Sequence, residues 1–157
     1  MLARLQSGYD RRRERRMQVS WKALLDAFEF ASFGSMGEHQ AFLCRKTGKV
    51  YERTELLDGD EEQELPDDWE DDEKYLSIPD KRELDLGKPL VLDFAREFLP
   101  NDYDEVRRIF SRRGAYAAYK DLLARSRALD QWYEFESKAT EKALRDWCEI
   151  NSIELVD

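Results

Sequence analysis

From Val19 onward the apolar residues fall into short periodic runs, and the period changes along the chain. Trp21, Leu24, Leu25, Phe28 and Ala31 recur at three and four residues, the spacing of one helix face. Ser20 is placed to cap that helix, with Val19 and Leu24 packing across the cap. The glycines of "FGSMG" end it. "QAFLCR", "KTGK" and "VYER" then read as strand, glycine-bearing turn and strand. "KYLSIPD" reads as a third strand, stopped by Pro79. Three strands in a meander make a small antiparallel sheet, which needs helices on one face to be stable.

The second half supplies helical spacing. Residues 89–99, 102–113, 114–125, 128–138 and 140–151 each carry apolar residues three and four apart. Pro100 with Asn101, and Gly114, mark breaks, while Asp102 and Thr140 are placed as caps. Tyr116, Tyr119 and Leu123 form one stripe, Leu129, Trp132, Tyr133 and Glu136 a second, and Ala143, Trp147 and Ile150 a third. Stripes of this kind read as core. The expected fold is α+β: an N-terminal helix, a three-stranded antiparallel meander and a C-terminal helical cluster.

Charge changes this picture at both ends of the first half. Residues 1–18 have no apolar period and carry six arginines, so they read as a basic, flexible arm before a single domain at 19–157. Residues 58–73, "DGDEEQELPDDWEDDE", hold eleven acids and no base, which reads as an acidic loop or a partly disordered stretch. The net charge of −9 therefore belongs mainly to one insertion, and the remaining body is close to neutral. With 41% hydrophobic residues and 39% charged ones, the chain reads as a globular domain with a dense ionic surface. It has no run long enough to span a bilayer and no signal-like apolar stretch, so a cytoplasmic location is expected.

Few catalytic sets can be assembled from these residues. Tyr116 and Lys120 stand at the Y-x-x-x-K spacing of short-chain dehydrogenases, but no glycine fingerprint precedes them. His39 is the single histidine and reads as a surface residue. Cys44 and Cys148 lie in apolar patterns and read as structural, which leaves no four-ligand zinc set. Counted from Asp58, the sixth and twelfth positions of a calcium loop are Gln63 and Trp69, so no metal is expected. Asp93 and Glu97 could pair on one helix face, the only opening for a small enzyme using carboxylates and tyrosines.

What remains is charge with aromatics. Residues 107–127 carry seven bases against Asp121 alone. Arg108 and Arg112 are four apart on an outer helix face, Arg113 falls at the start of the next helix, and Lys120 follows on it. These four are the candidate anion or nucleic-acid contacts. Neutralisation of the acidic loop within the fold is the plainer explanation for them. In that loop Trp69, flanked by Asp68 and Glu70, resembles an acidic-aromatic recognition segment and is the candidate partner contact.

"GAYAAYKDLL", "LDQWYEF" and "ALRDWCEINSI", in this order and spacing, resemble a bacterial family catalogued as uncharacterised protein family one-fifty-eight. The resemblance covers residues 19–153 and is strongest over 114–153. Ala117 and Ala118 stand where that family tends to carry arginines, and Asn151-Ser152 where it has a glycine-bearing turn. It implies the fold and adds no activity. The chain thus reads as a non-enzymatic intracellular protein-binding or adaptor domain, with nucleic-acid association through the arginine-rich rim as the alternative. No cofactor and no membrane are expected, and the pattern fixes no oligomeric state.

Overall fold

A computed structural model describes residues 17–34, 37–55 and 64–156. The expected arm at 1–16 and the first part of the acidic loop, 58–63, lie outside the described residues. The architecture is α+β, and it divides into two compact units: the residues up to Asp80 with those from Arg145 onward, and Lys81–Leu144.

In the first unit, β1 (Met17–Ser20) and β5 (Ile153–Val156) pair in parallel, with Met17 opposite Ile153 and Ser20 opposite Val156. Met17 and Gln18 are therefore strand, not arm, a correction to the sequence reading. Val19 and Ile153 are buried and anchor the pair. Helix α1 (Trp21–Ser32) follows at once, capped as expected by Ser20, whose Oγ accepts the Ala23 N–H at 3.0 Å. Its buried residues are Leu24, Ala27 and Phe28.

The three-stranded antiparallel sheet consists of β2 (His39–Cys44), β3 (Val50–Thr54) and β4 (Tyr75–Ser77), but β4 pairs with β2 rather than with β3, so β2 is central and the order is not that of the expected meander. Alternation sends Ala41 and Leu43 to one face, where α1 packs on β2 and β3 and both side chains are buried. Gln40, Phe42, Cys44, Tyr51, Arg53 and Tyr75 belong to the other face. Gly48 in the β2–β3 turn is required: its φ is +75°, and a Cβ there would run into the Gln18 carbonyl oxygen.

In the second unit, α2 (Lys88–Phe98), a 3₁₀ turn at Pro100–Asp102, α3 (Tyr103–Ile109), α4 (Ala115–Arg125) and most of α5 (Leu129–Ile150) surround an aromatic core. Trp132, 1% exposed, meets Phe94 edge-on at 5.4 Å and Tyr119 at 5.1 Å between ring centroids. Asp102 precedes α3 but makes no side-chain cap bond.

Two expected helices, 128–138 and 140–151, are one. Trp132, Phe135, Glu136, Ala139, Thr140, Ala143, Leu144, Trp147 and Cys148 are all buried or half-buried, a stripe that crosses Thr140 without interruption. No glycine or proline breaks it, so Thr140 is a half-buried helix-interior residue, not a cap. Three stripe assignments are also corrected: Tyr116 and Tyr133 are exposed, and Ile150 is 81% exposed while Cys148 takes the inward position.

Helix α5 ends through Asn151, whose Nδ2 donates to the Trp147 carbonyl at 2.8 Å, and Ser152, which sits at φ +57°. This left-handed conformation disfavours any side chain and suits glycine. Ser152→Gly is expected to raise stability by about 0.5–1 kcal/mol, the steric relief exceeding the entropy of a glycine. Urea titration measures it, and a lower midpoint in the variant would count against the strain.

Candidate functional site

Three charged features could contact another molecule. The first is basic and lies in the second unit. The expected helix over 102–113 stops at Ile109: the Ser111 hydroxyl donates to the Arg108 carbonyl at 2.6 Å, and the Arg112 N–H reaches the Ile109 carbonyl at 3.3 Å. Arg112 and Arg113 therefore sit in the turn rather than on the outer face of α3, which corrects the helical pairing of Arg108 with Arg112. Gly114, at φ +73°, adopts the left-handed conformation that starts α4.

The result is a cleft of about 380 Å³ between α3 and α4, lined by Arg108, Arg112, Arg113, Glu105 and Ala115 among others. The expected set is thus brought together except Lys120, which is exposed on α4 and is not part of the lining. Arg125 pairs with Glu105 at 3.7 Å; among the described residues, Arg108, Arg112 and Arg113 have no ion pair.

The second feature is the acidic turn of the first unit. Residues 66–74 fold as consecutive hydrogen-bonded turns: Trp69 N–H to the Pro66 carbonyl, Asp71 N–H to Asp68 and Lys74 N–H to Asp71. This turn covers the sheet face opposite α1. The Trp69 ring lies 5.3 Å from Phe42 and carries the Arg53 guanidinium at 4.9 Å. Asp68 accepts from Lys74 Nζ at 2.8 Å and from the Tyr75 hydroxyl at 2.9 Å. Two of the three expected partner-contact residues, Asp68 and Trp69, thus have internal roles, while Glu70 is exposed.

The hydrogen bonds from Lys74 and then Tyr75 hold the Asp68 carboxyl below its usual value. Burial, followed by the hydrogen bond to Asp68 and its charge, pushes the Tyr75 hydroxyl up to about 12. A depressed carboxyl stabilises the fold above the ordinary carboxylate pKa of about 3.9, and that contribution is lost as pH falls through the folded value. A raised phenol contributes below the ordinary value of about 10 and is lost as pH rises through the folded one. The stability gap between the native protein and Asp68→Asn is expected to be open at neutral pH and to narrow below about pH 4. A gap independent of pH would contradict the assignment.

The third feature escaped the sequence reading. A groove of about 370 Å³ runs beside β3, lined by Lys49, Val50, Tyr51 and Glu52 with Ala23 and Asp26 of α1 and Glu64. Asp26, Glu52 and Glu64 are all exposed, and none has an ion pair among the described residues. Lys49 is the one cation of the lining, its ammonium 4.9 Å from the Tyr51 ring centroid. Glu64 belongs to the acidic run 58–73, while Asp26 and Glu52 come from separate segments that the packing of α1 on the sheet brings to it.

The other reactive side chains serve the fold. Cys148 is buried, and burial pushes its thiol up to about 11. Burial acts to raise the half-buried Cys44 thiol, but hydrogen bonds with Thr47 and Lys46 bring it below the ordinary value. His39 is not a surface residue: its ring packs on Phe30 at 4.9 Å and on Phe33 at 5.5 Å. Asp93 pairs with Arg96 at 3.1 Å on the exposed side of α2. Lys81 pairs with Glu136 at 3.2 Å and lies over the Tyr116 ring, while Tyr119, raised by burial and then by the Glu136 charge, is enclosed in the aromatic core. Among the described residues, no group of three or more histidines, cysteines or acids is arranged to hold a metal, and no helix is long and apolar enough to cross a membrane. No protein family, curated protein or solved structure matches this chain.

Proposed function

We propose that this protein is a binding domain for another protein and that its acidic side makes the contact. The observation that carries this is the groove beside β3, where Asp26, Glu52 and Glu64 stand against the single cation Lys49 and form no ion pair among the described residues. Carboxylates that serve packing are paired, as Asp68 is with Lys74 and Tyr75. Carboxylates left open around a concavity favour a basic surface and steer it electrostatically. The exposed Glu70 on the neighbouring acidic turn adds to the same field. Capture on the tagged full-length chain tests this directly. Protein partners retained after nuclease digestion and released by rising salt are the expected result; loss of every protein partner on digestion overturns it.

A second reading is nucleic-acid association at the cleft between α3 and α4. Arg108, Arg112 and Arg113 line one concavity with no ion pair among the described residues. Phosphate contacts release counterions, so affinity for an oligonucleotide falls steeply with salt. Arg108→Glu with Arg112→Glu should abolish that affinity, and an unchanged affinity would remove this reading.

A further inference from the structure

The groove beside β3 is also a strand edge. Among the described residues, β3 has β2 as its only ladder partner. The Cys44 N–H bonds the Lys49 carbonyl at 2.9 Å, and the Glu55 N–H bonds the Glu38 carbonyl at 3.0 Å. In an antiparallel ladder these bonds recur at every second residue, so Lys49, Tyr51, Arg53 and Glu55 turn their main-chain groups toward β2. The N–H and C=O groups of Val50 and Glu52 consequently point away from β2. Both residues line the groove, and their side chains lie on the sheet face that α1 covers, as Ala23 and Asp26 of the lining require.

Resting on the protein-binding reading above, we propose that this groove takes an extended, arginine- or lysine-rich segment of the partner, which adds to the sheet as a strand beside β3. An open edge offers main-chain hydrogen bonds to any extended chain, and selectivity comes from every second side chain. Those side chains face the α1 side of the sheet, where Asp26, Glu52 and Glu64 are gathered, so the segment carries its basic residues at alternate positions. A single charge on an edge strand also guards against aggregation, and Glu52 alone would fit that role. Asp26 on a helix and Glu64 beyond the strand are not edge residues, and a guard does not call for them.

The test is fluorescence anisotropy with the full-length chain and two dye-labelled peptides of identical sequence, alternating arginine with threonine. One peptide is plain, and the other is N-methylated at alternate amides, so charge is kept and strand pairing is lost. The plain peptide is expected to bind at least about tenfold more tightly, several main-chain hydrogen bonds being worth that much together. Val50→Pro, which removes an outward N–H while leaving the β2 ladder its bonds, should weaken the plain peptide similarly. Equal binding of the two peptides overturns strand addition and leaves the acidic contact standing. Failure of both peptides to bind overturns the recognition of a basic partner itself. The peptide comparison uses the unaltered protein, so a folding defect in the Val50→Pro variant does not affect it.

Discussion

Replacing Trp132 by alanine is expected to destabilise the helical unit by about 3–5 kcal/mol, the range for emptying a buried tryptophan site. Trp132 is 1% exposed and is the hub of the aromatic core, meeting Phe94, Tyr119 and Phe135. These rings come from α2, α4 and α5, so no single helix can relax into the cavity without losing its other contacts. Edge-to-face aromatic pairs add about 0.5–1.5 kcal/mol each beyond area burial. Trp132→Phe keeps part of those contacts and should lose distinctly less. Denaturant titration followed by circular dichroism measures both, and a loss below about 1 kcal/mol for the alanine variant would show that the core is not organised around this residue.

The second large effect is expected at Trp69. Read from sequence, an aromatic inside an acidic run looks like a recognition residue, and a surface residue of that kind can be removed at a cost within about 0.5 kcal/mol. In the fold, its ring lies between Phe42 and Arg53 and closes the sheet face opposite α1. Trp69→Ala is therefore expected to cost about 2–3 kcal/mol, somewhat less than a fully buried tryptophan because this side chain is half-buried. It should also disturb the turn that holds Asp68 on Lys74 and Tyr75. Loss of partner binding at unchanged stability would instead restore Trp69 as a contact residue.

The elements legible in the sequence are those whose signals are local. Ser20 followed by apolar residues at three- and four-residue spacing specified α1, its cap included, and "LCRKTGKVYE" specified the β2–β3 hairpin. The pair β1 and β5 carried no such signal: each strand is four residues long, and each finds its partner at the other end of the chain. Thr140 misled in the opposite way. A threonine before two charged residues fits a cap, yet the buried stripe through Ala139, Ala143 and Leu144 continues past it. The charge count of 107–127 located the arginines, but the early end of α3 at Ile109, where Ser111 and then Gly114 turn the chain, decided how they share a cleft. Glu64 was legible as part of the acidic run 58–73, but Asp26 and Glu52 were not, because nothing in their own segments relates them to it. They become neighbours only when α1 lies on β3.

Whether the acidic groove or the basic cleft makes the contact with a partner is decided by one comparative capture. The tagged full-length protein, the Asp26→Lys, Glu52→Lys double variant and the Arg108→Glu, Arg112→Glu double variant are each exposed to the same nuclease-treated lysate, after circular dichroism has shown all three folded. The four substituted residues are exposed, so the fold should tolerate both reversals. Proteins recovered by the unaltered chain are expected to be recovered by the arginine variant too and lost with the groove variant. Recovery lost only with the arginine variant would assign the contact to the basic cleft instead.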